Sequence, residues 1–169
     1  MTFQDALIAD RAGDLQLAAS RYEELISQEE APFAVLMNLA VLYWQATDPG
    51  MVGAKSLTPN FSATASRRIP ELLTEAERRF SGRSEPRFWR RYIDWADLGD
   101  PFCVDECFEF LLEDPESLVP AMHIFAFSRG KDAESEAIEL LQQCRDDMTT
   151  RSRYIASVIE GVLRRSARR

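Results

Sequence analysis

The residues Ala34-Val-Leu-Met-Asn-Leu-Ala-Val-Leu-Tyr-Trp44 constrain this chain more than any other stretch. They hold one polar side chain, the amide of Asn38, and finish on two aromatics. Apolar groups fall on every side of a helix with this sequence, so the helix is predicted to be buried on several flanks. Pro32 stands just before it, where a missing N–H costs nothing. Such a helix needs neighbours, and the segments on either side carry the periodicity to supply them.

Thr2 suits the cap of a first helix reaching about Ala12, with Ala6, Leu7, Ala9 and Ala12 on one face. Gly13 stops it, and Asp14 caps a second helix from Leu15 to about Glu29. That helix aligns Leu15, Ala18, Ala19, Tyr22, Leu25 and Ile26, and the short turn makes the two a helical hairpin. Residues 47–58, rich in Gly, Pro and small polar residues, read as a loop. Thr58-Pro59 opens a helix over residues 59–82 that Pro70 should kink or split at Ile69. Beyond Pro86 comes a helix dense in aromatics, Phe88, Trp89, Tyr92 and Trp95, closed by Gly99. Helices over residues 102–112, 117–128 and 134–145 follow, and residues 148–169 supply a last one with Ile155, Val158, Ile159, Val162 and Leu163 on one face. About nine helices are expected, and no stretch has the alternation of a strand.

The run Asn38-Leu39-Ala40-Val-Leu-Tyr43 resembles the first helix of a tetratricopeptide repeat, with Leu36 where that family often has Trp. Gly13 followed by Ala18 and Tyr22 resembles the second-helix signature, and Ala6 and Ala40 lie 34 residues apart, the family's period. Gly99, Val104, Phe108, Leu111 and Leu112 repeat the motif, and Val104 to Ala137 and Phe108 to Leu141 are each 33 apart. The resemblance covers residues 3–46 and 86–145. It implies a single all-α domain of antiparallel helix pairs, stacked as a short right-handed α-solenoid, with residues 148–169 as the C-terminal capping helix. It also implies a concave groove lined by the first helix of each pair. The matching positions are Met37, Asn38, Val41, Trp44 and Gln45, with Trp89, Arg90 and Ile93 in the aromatic helix. Asn38 matches the asparagine with which family members hold a bound peptide, although the basic residues of a carboxylate clamp are missing around it.

The charge is arranged in blocks. The chain totals −8, yet residues 93–147 alone carry −12 and residues 67–92 carry +4. The overall sign argues against general affinity for nucleic acid. The cluster Arg67, Arg68, Arg78, Arg79, Arg83, Arg87, Arg90 and Arg91 is interleaved with Phe88, Trp89 and Tyr92, a composition that suits phosphate contact and base stacking. It equally suits neutralisation of the acidic segments on either side.

Catalytic chemistry finds little purchase. Cys103 and Cys107 stand one helical turn apart, and a zinc site would need the only histidine, His123, as well as Cys144. Small buried thiols and a satisfied, half-buried core histidine are the expected roles. Among the motifs sought there is no nucleophile elbow, phosphate loop or dinucleotide fingerprint. No apolar run approaches the ~20 residues of a membrane span, and the opening residues lack the pattern of a signal peptide. A cytoplasmic, bacterial, non-enzymatic protein without cofactor or metal is therefore expected, binding a protein partner or peptide as an adaptor or chaperone. The alternative is an immunity-type inhibitor covering a basic toxin with its acidic surface; a nucleic-acid binder using residues 67–92 is the lesser one. Self-association through the aromatic helix stays open.

Overall fold

The computed structural model describes residues 2–28 and 31–167, which form ten α-helices and no strand. None of these helices is long and apolar enough to cross a membrane. Two compact units divide the chain: unit 1 is Met1–Phe80 with Thr149–Arg151, and unit 2 is Ser81–Met148 with Ser152–Arg169.

Unit 1 holds α1 (Phe3–Ala12), α2 (Leu15–Ile26), α3 (Phe33–Gln45), α4 (Pro49–Ala54) and α5 (Pro59–Arg79). Local chemistry sets their ends. Thr2 and Asp5 form a reciprocal capping box on α1, and Gly13 closes it at φ 76°, a conformation glycine adopts without steric cost. Asp14 and Thr58 accept from the Leu17 and Phe61 amides at the starts of α2 and α5. As its sequence requires, α3 is buried from Val35 to Trp44 and packs against both α2 and α5.

Polar groups inside unit 1 are tied in two knots. Tyr22 Oη donates to Asp10 Oδ2 at 3.0 Å, and Asn38 Nδ2 donates to Tyr22 Oη at 3.3 Å. The other Asp10 oxygen accepts from Thr150 N at 2.8 Å and from Thr150 Oγ1 at 2.5 Å. A first-turn amide has no partner within its own helix, so a carboxylate 140 residues away caps Thr150. In the second knot, Arg68 grips Glu23 with two parallel bonds of 2.8 and 2.7 Å while Tyr43 Oη donates to the same carboxylate at 3.0 Å. That joins α2, α3 and α5.

Two elements depart from expectation. Residues 47–58 are not all loop, because Asp48 accepts from Met51 N and Pro49 occupies the first turn of the six-residue α4. An Asp-Pro pair starts a helix even among glycines. In addition, α5 continues through Pro70 as one helix of 21 residues, so it is not split at Ile69. Pro70 and Ser66, whose carbonyl loses its i+4 donor, both lie on the exposed side, where water can replace the missing bond.

Unit 2 holds α6 (Glu85–Leu98), α7 (Val104–Glu113), α8 (Val119–Phe127), α9 (Glu134–Asp147) and α10 (Thr150–Ser166) from Ser152 onward. Every residue of α8 from Val119 to Phe125 is buried, and α6, α7 and α9 all pack on it. Phe88 stacks on Tyr92 at 5.5 Å between centroids and meets Trp89 edge-on at 5.5 Å. Trp89 Nε1 donates to Glu85 at 2.9 Å, and the Tyr92 and Tyr154 hydroxyls share a 2.8 Å hydrogen bond. The buried Asp114 carboxylate accepts from Ser84 N at 3.1 Å and Arg83 Nε at 2.9 Å.

The repeat register fails on α7. Ala137 and Leu141 are buried as their period requires, but Phe108, 33 residues before Leu141, is 40% exposed and Leu112 is 81% exposed. Cys107 and Phe110 take the inward face instead. The predicted extensions of α2 to Glu29 and of α10 to Arg169 end outside the described residues.

Candidate partner-binding surface

The groove positions expected from the sequence lie mostly in the core. Met37, Asn38, Val41, Trp44 and Trp89 are buried, and Gln45, Arg90 and Ile93 are half-buried. A buried side chain presents no surface, so in this conformation those five cannot meet a partner. Asn38 instead braces Tyr22, with its Oδ1 left without a hydrogen-bond partner. Trp89 is anchored by Glu85 and packs edge-on against Tyr92.

A different aromatic group reaches the surface of unit 2. Trp95 comes from the last turn of α6, and His123 and Phe127 come from successive turns of α8. The His123 ring lies 4.8 Å from Trp95, 6.0 Å from Phe127 and 4.8 Å from Phe102, on which it stacks at 16°. Tyr92 meets it edge-on at 5.6 Å. His123 and Phe102 are buried, whereas Trp95 is 37%, Phe127 64% and Leu98 74% exposed. The result is an aromatic stack with an inside and an outside.

Every residue from Trp95 to Asp100, the last turn of α6 and the residues after it, is exposed. That end also carries Asp97 and Asp100, with the half-buried Asp94 behind it and no basic residue among residues 94–100. An apolar centre therefore has an acidic edge.

Burial, offset in part by a hydrogen bond with the Phe102 backbone, lowers the basicity of His123. Its Nε2 has no hydrogen-bond partner. The imidazole is thus more buried and less satisfied than the sequence reading expected. Nothing about Trp95 in the sequence marks it as a surface residue, because its spacing from Tyr92 and Phe88 puts it on the buried stripe of α6.

Five of the eight arginines of the cluster pair with carboxylates: Arg68 with Glu23 and Glu71, Arg79 with Glu75, Arg83 with Asp114, Arg87 with Glu113, and Arg91 with Glu106. Phe88, Trp89 and Tyr92, the aromatics interleaved with the arginines, are buried.

The thiols are all free, with Cys103 exposed and Cys107 and Cys144 buried. Burial pushes the Cys107 thiol up to about 12, which leaves it protonated and a poor nucleophile at neutral pH. Among the described residues no group of three His, Cys, Asp or Glu side chains is placed to hold a metal ion. No family model, curated protein or solved structure matches this chain.

Proposed function

We propose that this chain is a non-catalytic protein-binding module of tetratricopeptide-like helix pairs, and that unit 2 docks a partner on Trp95, Leu98 and Phe127. The exposed Trp95 and Phe127, both packed against the buried His123, carry this reading. Large aromatics at a surface are the usual anchors of an interface, and a charged edge sets partner choice. The acidic edge at Asp94, Asp97 and Asp100 selects a partner segment with an apolar ridge flanked by Lys or Arg. Support for the repeat-like architecture is confined to unit 1, where the equivalent Ala6 and Ala40 are both fully buried. An adaptor or chaperone holding a client segment fits this surface best. The −12 carried by residues 93–147 favours a second reading, an inhibitor that covers a basic protein.

The test is capture from the native host lysate by wild type and by a Trp95→Ser/Phe127→Ser double variant, both verified as folded by circular dichroism. A stoichiometric partner lost by the variant supports the patch. A partner retained by it moves the site elsewhere, and no specific capture by either protein defeats the binding reading.

A further inference from the structure

A cavity of about 380 Å³ opens in unit 2 between the end of α8 and the last turns of α10, lined by Ala126, Arg129, Val162, Arg165 and Ser166. The chain builds it with a glycine turn. Gly130 N donates to Phe125 O at 2.8 Å and Arg129 N to Ala126 O at 3.2 Å, closing α8 with residues 129 and 130 both at positive φ. A Cβ at Gly130 would stand 3.3 Å from Val162 Cγ1 and 3.4 Å from Ser166 Oγ, so another residue would have to push Val162 back slightly as well as hold a φ of 86°. Arg129 holds φ 58°, a conformation that strains any residue but glycine.

The lining is chemically one-sided. Among the described residues it contains two guanidinium groups and a hydroxyl but no carboxylate. Neither Arg129 nor Arg165 forms an ion pair with any described residue, whereas the adjacent Arg164 approaches Glu160 at 3.8 Å. Two cations bordering one cavity with no carboxylate partner among the described residues make it electropositive, which favours an anion there.

We infer that this cavity binds a small organic phosphate, its phosphate group held by Arg129, Arg165 and Ser166 and its carbon portion lying on Ala126 and Val162. Two guanidinium forks and a hydroxyl offer more donors than the two oxygens of a carboxylate can accept, and the three terminal oxygens of a phosphate monoester match them better. The volume lies within the range of small-molecule sites and exceeds what a bare phosphate ion fills.

Calorimetric titration of the full chain with phenyl phosphate tests this, with inorganic phosphate and phenol as comparison probes. Saturable binding of phenyl phosphate at one site is expected, at least tenfold tighter than either comparison probe. Arg165→Gln and Arg129→Gly should each weaken it at least tenfold. Glycine adopts the positive φ of position 129 readily, so Arg129→Gly should not lower the melting temperature, which separates site loss from misfolding. Absence of saturable binding, or equal affinity in wild type and both variants, overturns the site. Equal affinity for inorganic phosphate overturns the assignment of an organic ligand.

Discussion

At the scale of the residue, the burial of His123 couples folding to pH. Unfolded, its imidazole titrates near 6.5; folded, burial among Tyr92, Trp95, Phe102 and Phe127 holds it lower. Below pH 6.5 the unfolded chain takes up a proton that the folded chain does not, so stability falls as the pH falls. The slope from one such group is at most about 1.4 kcal/mol per pH unit. Denaturant titrations from pH 7 to pH 5 should therefore show a loss of stability that His123→Phe flattens. An unchanged slope in the variant would assign the loss to other groups. The sequence showed His123 among apolar neighbours, which fixed its burial. That Nε2 would go unpaired depends on which side chains from α6 surround it, and spacing along α8 carries no such information.

At the scale of the element, start and stop signals were read correctly at several ends and missed at others, since α7 begins at Val104 rather than Phe102 and α8 at Val119 rather than Ser117. Thr2, Gly13, Asp14, Thr58 and Gly99 each cap the helix end expected of them. Pro70 shows where a local rule yields to context. Its face of α5 is exposed, so the helix continues at the cost of one backbone hydrogen bond. Pro70→Ala should restore the Ser66 carbonyl bond and stabilise unit 1 by about 1–3 kcal/mol, read as a raised melting temperature. An unchanged or lowered value would mean that the proline ring packs usefully where it is. The exposed Phe108 and Leu112 on α7 make a related point. Their 33-residue period was real in the sequence, but burial follows the faces that α8 covers, and those are Cys107 and Phe110.

At the scale of the whole molecule, charge is segregated along the chain and only partly neutralised. Pairing of Arg83, Arg87 and Arg91 with Asp114, Glu113 and Glu106 consumes three of the fifteen acidic residues between 93 and 147. On the proposed function, the remaining acidic excess steers a basic partner toward the aromatic patch. Raising the salt from about 0.05 to about 0.5 M shortens the Debye length from roughly 14 to roughly 4 Å. The association rate with a captured partner should then fall at least several-fold, while dissociation, governed by Trp95 and Phe127, changes less. A salt-independent association rate would remove the acidic edge from recognition.

The sequence by itself determined that the chain is helical, where most helices begin and end, and that α3 lies at the centre of its neighbours. Those outcomes rest on periodicity, capping and glycine, which act within a turn or two of chain. It also named Trp44 and Trp89 as partner anchors, and the tertiary structure buries both while leaving Trp95 partly exposed. The capping of Thr150 by Asp10 and the arginine-lined cavity beside Gly130 likewise join residues far apart in the chain. Such features depend on which faces meet, and that is not encoded in the spacing within any one helix.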